Sequence, residues 1–234
     1  MPKPRIIIIG AGFTGVATAH DLALRGCEVT VVERGPIANG TSGRTHGLLH
    51  SGGRYAVTDH EGAVECIDEN MTLRKIMLDG LELNDGLFVA VDESDLAFKD
   101  TFLEGCAKCG IPARDIPVKR ALEIEPYLNP KILAAVQVPD GVFDPYRFCL
   151  SFLATAKKNG ATVLPYHEVT GLMMSGNAVS GVKVRDHRTG KEYEIGADLV
   201  VNATGPWAGH IAAFANIDVP VIPTAGVMVS VSKR

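Results

Sequence analysis

The run Gly10-Ala11-Gly12-Phe13-Thr14-Gly15 sets three glycines at the spacing of a dinucleotide-binding fingerprint, and Glu33 follows about twenty residues on. Each glycine has a separate task in such a motif. Gly10 permits a tight turn, Gly12 lets the backbone approach a pyrophosphate, and Gly15 lets a helix pack closely on a strand. The phosphates then meet the N-terminus of the helix, where backbone N–H groups and the helix dipole favour negative charge. A carboxylate at Glu33 can accept hydrogen bonds from ribose hydroxyls and repels a 2′-phosphate, so an adenosine with a free 2′-hydroxyl is expected. NAD and FAD both present adenosine diphosphate to such a motif, which leaves the choice between them open.

Further along, Thr41-Ser42-Gly43-Arg44 offers small side chains and hydroxyls suited to a second pass along an extended dinucleotide. A strand at residues 200–202 running into Ala203-Thr204-Gly205-Pro206-Trp207 returns the chain to the same sheet edge, although an ordinary strand exit reads the same way. Cys106 and Cys109 form a CxxC pair with no second pair and no following His, near a helix C-terminus where nothing acidifies a thiol; they read as ordinary helix thiols, and no metal site is expected. Trp207 and His210 read as packing groups without a catalytic role.

The elements that must position these residues follow from periodicity. A β-branched run at 5–9, a helical pattern at 14–25 stopped by Gly26, and an apolar strand at 28–33 make a βαβ unit. Residues 36–53 are loop by composition. Residues 60–78 predict a helix, with Met77 and Leu78 widening its apolar stripe. Strand 87–91, helix 100–110 and strand 134–138 come next, then a tight turn at Asp140-Gly141. Asp144-Pro145 opens a helix over 146–159 that Gly160 ends, before strand 162–164. Alternating segments at 171–174, 179–184 and 191–195 predict a small antiparallel meander; 199–202 is a buried strand, and 226–231 looks like the start of another. The arrangement is α/β, a discontinuous nucleotide-binding domain interrupted by a second layer.

Composition agrees with a globular chain. Of 234 residues 46% are hydrophobic and 21% charged, which excludes disordered and fibrous classes. The 23 basic and 27 acidic residues are interleaved, so no basic footprint for nucleic acid exists. Apolar runs at 6–9 and 199–201 are far below the ~20 residues of a membrane helix. Five scattered cysteines and no leader point to reduced thiols in the cytoplasm.

The segment from Thr41 to Tyr55, with His46, Gly47, Leu48, His50 and Arg54 inside it, resembles the FAD-dependent glycerol-3-phosphate dehydrogenases of the anaerobic type. Ala56-Val57-Thr58-Asp59, Glu65-Cys66-Ile67, Asn84-Asp85-Gly86-Leu87-Phe88, Pro139-Asp140-Gly141 with Asp144-Pro145, and Asn202-Ala203-Thr204-Gly205-Pro206-Trp207 are similar to the same family in the same order. The resemblance covers essentially the whole chain and places it among the D-amino-acid-oxidase-like flavoproteins. It implies a Rossmann-like FAD-binding domain at 1–82 and 144–215, with 83–143 and 216–234 as parts of an incomplete α+β substrate domain.

By that resemblance the cofactor is FAD. Gly10, Gly12, Phe13, Thr14 and Gly15 would meet the pyrophosphate and Glu33 with Arg34 the adenosine. Thr41, Ser42, Gly43, Arg44, His46, Gly47 and Leu48 would follow the dinucleotide toward the isoalloxazine, with His46 as a non-covalent contact. Val169 would contact adenine through its backbone, and Ala203, Thr204, Gly205 and Trp207 would complete the site. His50, Arg54 and Tyr55 would lie in the substrate cavity beside the flavin, Arg54 gripping phosphate with its planar charged fork. The implied reaction is oxidation of glycerol 3-phosphate by hydride transfer to flavin N5, with electrons passed to partner subunits and quinone. These partners would hold the cytoplasmic protein on the inner face of the cell membrane. His50 is the nearest candidate base; a histidine hydrogen-bonded to backbone or flavin is the competing reading.

Relatives of this kind run further, so the chain reads as C-terminally truncated, a fragment of a longer catalytic chain. Ala225 and Val227 also stand where relatives carry a lysine and a small polar residue. A related 2-hydroxy-acid or amino-acid oxidoreductase, or a non-catalytic FAD-binding module, are the alternatives.

Overall fold

Residue 5 and the four isoleucines after it form β1 (Arg5–Ile9), whose apolar side chains are all buried. The fingerprint turn leads into α1 (Phe13–Leu24), and Gly26, at φ +83°, takes the left-handed conformation that stops the helix before β2 (Glu28–Glu33). The chain then makes a 3₁₀ turn at Thr41–Arg44. Next come β3 (Leu48–Leu49), α2 (His60–Ile76), β4 (Leu81–Glu82), β5 (Gly86–Ala90), α3 (Glu93–Lys108), β6 (Arg114–Ile116), α4 (Val118–Ile124), β7 (Ala134–Val138) and β8 (Gly141–Phe143). It continues through α5 (Pro145–Lys158), β9 (Thr162–Pro165), β10 (His167–Ser175), β11 (Ala178–Asp186), β12 (Glu192–Gly196), β13 (Leu199–Asn202) and α6 (Ala208–Ala213).

This computed structural model describes residues 2–77 and 79–229, which cluster into one unit of residues 2–46 and 145–229 and a second unit, Gly47–Asp144. The expected boundaries at 82/83 and 215/216 differ from this division. Residues 47–82 go with the second unit because α2 buries Ala63 and Ile67 against Phe102, Cys106 and Val136 of that unit.

The first unit is built on a parallel sheet in the order β13-β1-β2-β9. Its inner strand β1 is apolar on both faces, as a parallel strand covered on both sides must be, whereas the edge strand β13 leaves Leu199 exposed. Ile7, Ile9 and Val32 pack against Val169, Val182 and Val184 of the antiparallel β10-β11-β12 meander. Helices α1 and α5 pack on each other through Phe13 and Phe148, whose rings meet edge to face at 5.1 Å, and Phe148 stacks on Phe152 at 4.4 Å.

The second unit holds an antiparallel sheet β5-β7-β6 and a smaller one, β3-β8-β4. One expectation fails here for a local reason. Helix α3 begins at Glu93 rather than at 100, because Asp92 caps it by accepting from the N–H groups of Ser94 and Asp95. The chain turns tightly just before Gly141, Asp140 N–H donating to Val138 O at 2.9 Å, and the turn carries it from one sheet to the other: β7 pairs with β5 and β6 while β8 pairs with β3 and β4. Residues 226–229 carry no strand; the expectations for 230–231 and for Leu78 lie outside the described residues.

Candidate functional site

The C-terminal ends of β1, β2 and β13 converge on the fingerprint turn. Gly10 N–H donates to Val32 O at 2.8 Å and Ala203 N–H to Ile9 O at 2.9 Å, which ties the three strand ends together. Gly10 sits at φ +103°, and a Cβ there would lie 2.6 Å from Ala203 O. A Cβ on Gly15 would fall on the carbonyl oxygen of Gly10, so the close helix–strand approach is built into the backbone. A Cβ on Gly12 would meet Ser42 Oγ at 2.8 Å; this hydroxyl in turn accepts from Phe13 N–H at 2.9 Å and anchors the 3₁₀ turn to the start of α1.

A cleft of about 280 Å³ opens above this turn, close to the lower end of the range for small-molecule sites. Gly10, Gly12, Phe13, Thr14, Glu33, Arg34, Thr41, Ser42, Val169, Ala203, Thr204, Gly205 and Trp207 all line it, so most of the expected cofactor residues are brought together. The Val169 side chain is buried in the core between the sheets, which leaves its backbone for the cleft. The Arg34 guanidinium lies 4.5 Å over the ring of Trp207, a cation–π pair on the cleft wall. Glu33 is more engaged than the sequence suggests. Its Oε2 accepts from Ala11 N–H at 2.9 Å and its Oε1 from Gly35 N–H at 2.8 Å. Each oxygen keeps a second lone pair for a ribose hydroxyl.

Other expected residues do not line the cleft. Gly15 sits beneath the turn. Gly43 packs against Ala38 O and the Tyr146 ring, and Arg44 spends its guanidinium on the carbonyls of Asn39 and Gly40, closing the loop on itself. His46 is exposed at the end of the first unit's leading segment, whereas Gly47 and Leu48 open the second, where Leu48 pairs with Val142. Sequence reasoning missed Asn39, Gly40, His167, Glu168 and Phe214 on the cleft wall, which His210, read as a packing group, also lines. It also passed over Asn202 as an organiser: its Oδ1 accepts from Thr204 Oγ1 at 2.7 Å and its Nδ2 donates to Ala208 O at 2.9 Å. The position of His167 and Glu168 directly before Val169 was the available signal.

The expected substrate residues belong to the second unit. His50 Nδ1 lies 3.5 Å from Asp140 Oδ2, and Ser51 N–H donates to Asp140 Oδ1 at 2.7 Å. Arg54 has no ion-pair or hydrogen-bond partner among the described residues; it borders a cavity of about 240 Å³ with Thr58, Phe88, Phe98, Lys99 and Phe102. Tyr55 ends a 3₁₀ turn, Gly53–Tyr55, and is exposed. Cys106 and Cys109 are buried thiols in the core of this unit, and burial pushes the Cys106 thiol up to about 11.

The cradle of close backbone approaches, the strand-end cleft and the carboxylate at Glu33 together fit the adenosine diphosphate half of FAD. A family model described as FAD dependent oxidoreductase matches residues 5–234. The chain is 47% identical over 229 residues to one subunit of the anaerobic glycerol-3-phosphate dehydrogenase of Escherichia coli (strain K12), covering 98% of this chain and 42% of that protein. It is 45% identical to the corresponding subunit from Haemophilus influenzae, covering 98% and 41%. The chain thus spans about two fifths of the length of these relatives. Among solved structures, L-proline dehydrogenase from P. horikoshii superposes with a TM-score of 0.81 at 31% identity, covering 95% of this chain and 58% of that one. The cleft, its cradle and the family match agree, and the chain belongs to the FAD dependent oxidoreductase family.

Proposed function

We propose that the chain is the FAD-binding part of a glycerol-3-phosphate dehydrogenase, oxidising sn-glycerol 3-phosphate to dihydroxyacetone phosphate. The observation that carries this reading is the 47% identity, over 98% of the chain, to a subunit of an anaerobic glycerol-3-phosphate dehydrogenase. Gly10, Gly12 and the first turn of α1 would hold the pyrophosphate, and Glu33 and Arg34 the adenosine end. FAD, when bound, supplies the two-electron acceptor for the hydride that leaves the carbinol carbon. Arg54, whose permanent charge has no protein partner among the described residues, binds the phosphate through paired N–H donors. His50 accepts the hydroxyl proton as the carbonyl forms. Electrons then pass through a partner subunit to quinone. Docking on that partner holds the protein at the inner face of the membrane; no helix among the described residues is long and apolar enough to cross it.

Anaerobic addition of glycerol 3-phosphate to the FAD-loaded protein is expected to bleach the flavin absorbance. Arg54→Ala should weaken the substrate by about 10- to 100-fold, the worth of a charge-assisted contact, with FAD content intact. Equal loss of FAD would sink the assignment of Arg54. A second reading, in which Arg54 meets a carboxylate and the substrate is an amino acid, is favoured by the likeness to L-proline dehydrogenase. Bleaching by amino acids and not by glycerol 3-phosphate would select it.

A further inference from the structure

Asp140 enters neither the cofactor cleft nor the substrate contacts proposed above, yet its carboxylate is one of the most constrained in the second unit. Its side chain is only 15% exposed, against 47% for His50. Oδ1 is fixed by the Ser51 N–H, which turns Oδ2 toward His50 Nδ1 at 3.5 Å. The backbone on both sides is held by two side chains one helical turn apart on α2. Fully buried Asn70 donates through Nδ2 to His50 O at 3.2 Å and to Pro139 O at 3.0 Å, with a longer contact to Leu49 O at 3.4 Å. Arg74 donates through Nε to Asn70 Oδ1 at 2.7 Å and through Nη2 to Pro139 O at 2.6 Å. The two stretches joined in this way are far apart in sequence, since the Ser51–Asp140 bond closes 89 residues.

A buried amide with three carbonyl neighbours, backed by a guanidinium, is a costly device if it only joins two loops, because any unmet group there loses its full desolvation energy. What it fixes is the distance between one carboxylate and one imidazole. Joining the loops alone would not require Asp140 to keep one oxygen for the histidine.

We propose that Asp140 is the positioning residue of His50: it accepts from Nδ1–H, fixes that tautomer and ring orientation, and thereby makes Nε2 the nitrogen that takes the substrate's hydroxyl proton. The Asn70–Arg74 pair is the clamp that keeps the two groups in register. This rests on the reading of His50 as the base. The coupling of Asp140 to the imidazole does not, and it can be tested separately.

The test combines long-range ¹H–¹⁵N spectra of histidine-labelled, FAD-loaded protein, the His50 signals being assigned by their loss in His50→Gln, with rapid-mixing flavin reduction by glycerol 3-phosphate. The native protein is expected to hold the neutral His50 imidazole as the Nδ1–H tautomer. In Asp140→Asn, whose amide oxygen can still accept from Ser51 N–H, the tautomer should change to Nε2–H. The limiting rate of flavin reduction should fall about 100-fold or more, with FAD content and the substrate's dissociation constant unchanged. An Nε2–H tautomer in the native protein overturns the proposal without recourse to any variant, and so does an Asp140→Asn protein with native tautomer or native rate. A native protein that glycerol 3-phosphate does not reduce refutes the proposed function alone, and the tautomer spectra then decide the role of Asp140 toward His50.

Discussion

Glu33 Oε2 accepts the backbone N–H of Ala11 at 2.9 Å, so the acid at the end of β2 stitches the fingerprint turn as well as facing the cleft. Together with the Gly35 bond on Oε1, this makes the carboxylate a structural bracket around the site expected to receive ribose. Glu33→Gln sets an amide nitrogen against one of two backbone N–H donors. A buried donor left unmet costs about 1–3 kcal/mol, so the variant should lose thermal stability even without cofactor, as well as FAD affinity. A melt identical to that of the native apoprotein would show that the bracket carries no load.

Two glycines separate space from conformation. At Gly15 an added methyl falls on the carbonyl oxygen of Gly10, whereas at Gly26, φ +83°, nothing lies within 4 Å. Gly26→Ala is expected to cost about 1 kcal/mol through its left-handed backbone, with flavin binding kept. Gly15→Ala should cost several times more and abolish flavin binding, because α1 must move off the turn. Comparable melts and flavin contents for the two proteins would disprove this ordering.

Thiol reactivity follows burial. The Cys149 thiol is pushed up to about 12 and the Cys106 thiol to about 11 by desolvation, and Cys109 is buried beside the latter. Cys27 and Cys66 are partly accessible. A thiol reagent at about pH 8 should label only these two in the folded protein and all five after unfolding. Rapid native labelling of Cys106 or Cys149, located by peptide mapping, would contradict the packing described.

His20 packs on the Phe152 ring at 4.7 Å, and burial lowers its pKa, with Asp21 opposing the shift. The folded state therefore binds fewer protons here than the unfolded chain. Its contribution to stability is complete above the unfolded value of about 6.5 and is lost as pH falls toward the lowered folded pKa. His20→Phe should lose less stability than the native protein between about pH 7.5 and about pH 5.5 in urea titrations. Equal losses would remove His20 as the cause.

Trp207 is the single tryptophan, and it stands on the cleft wall under Arg34. Adding FAD to the apoprotein should quench its emission in a saturable way, and Arg34→Ala should shift the apoprotein emission maximum. A tryptophan signal indifferent to FAD would place the cofactor elsewhere.

The βαβ unit was legible because its determinants are local: β-branched runs, a helix stop at Gly26 and glycines whose tasks are set by immediate neighbours. Strands β7 and β13 were delimited by short apolar runs. The meander strands are longer than alternation suggests because irregularities between Val169 and Gly171 and between Met173 and Met174 break the period of two. The start of α3 was hidden because its first turn is charged and its signal is a cap at Asp92 rather than an apolar stripe. The closing of the Thr41–Arg44 loop on itself was hidden too, because nothing in the local sequence says that the Arg44 guanidinium takes the carbonyls of Asn39 and Gly40. Asp140 was invisible as a partner of His50, since only the changeover between sheets brings them together.

The fingerprint turn is floored by β13, which runs beside β1 and is locked to its start by the Arg5–Asp198 pair across 193 positions. Closing so long a loop is slow compared with forming the neighbouring hairpins. During synthesis, the glycine motif has no floor until residues 199–202 have followed it out and come to lie beside β1. Flavin uptake therefore reports that two strands distant in sequence have met, and a coloured chain is one in which β1 and β13 are already paired.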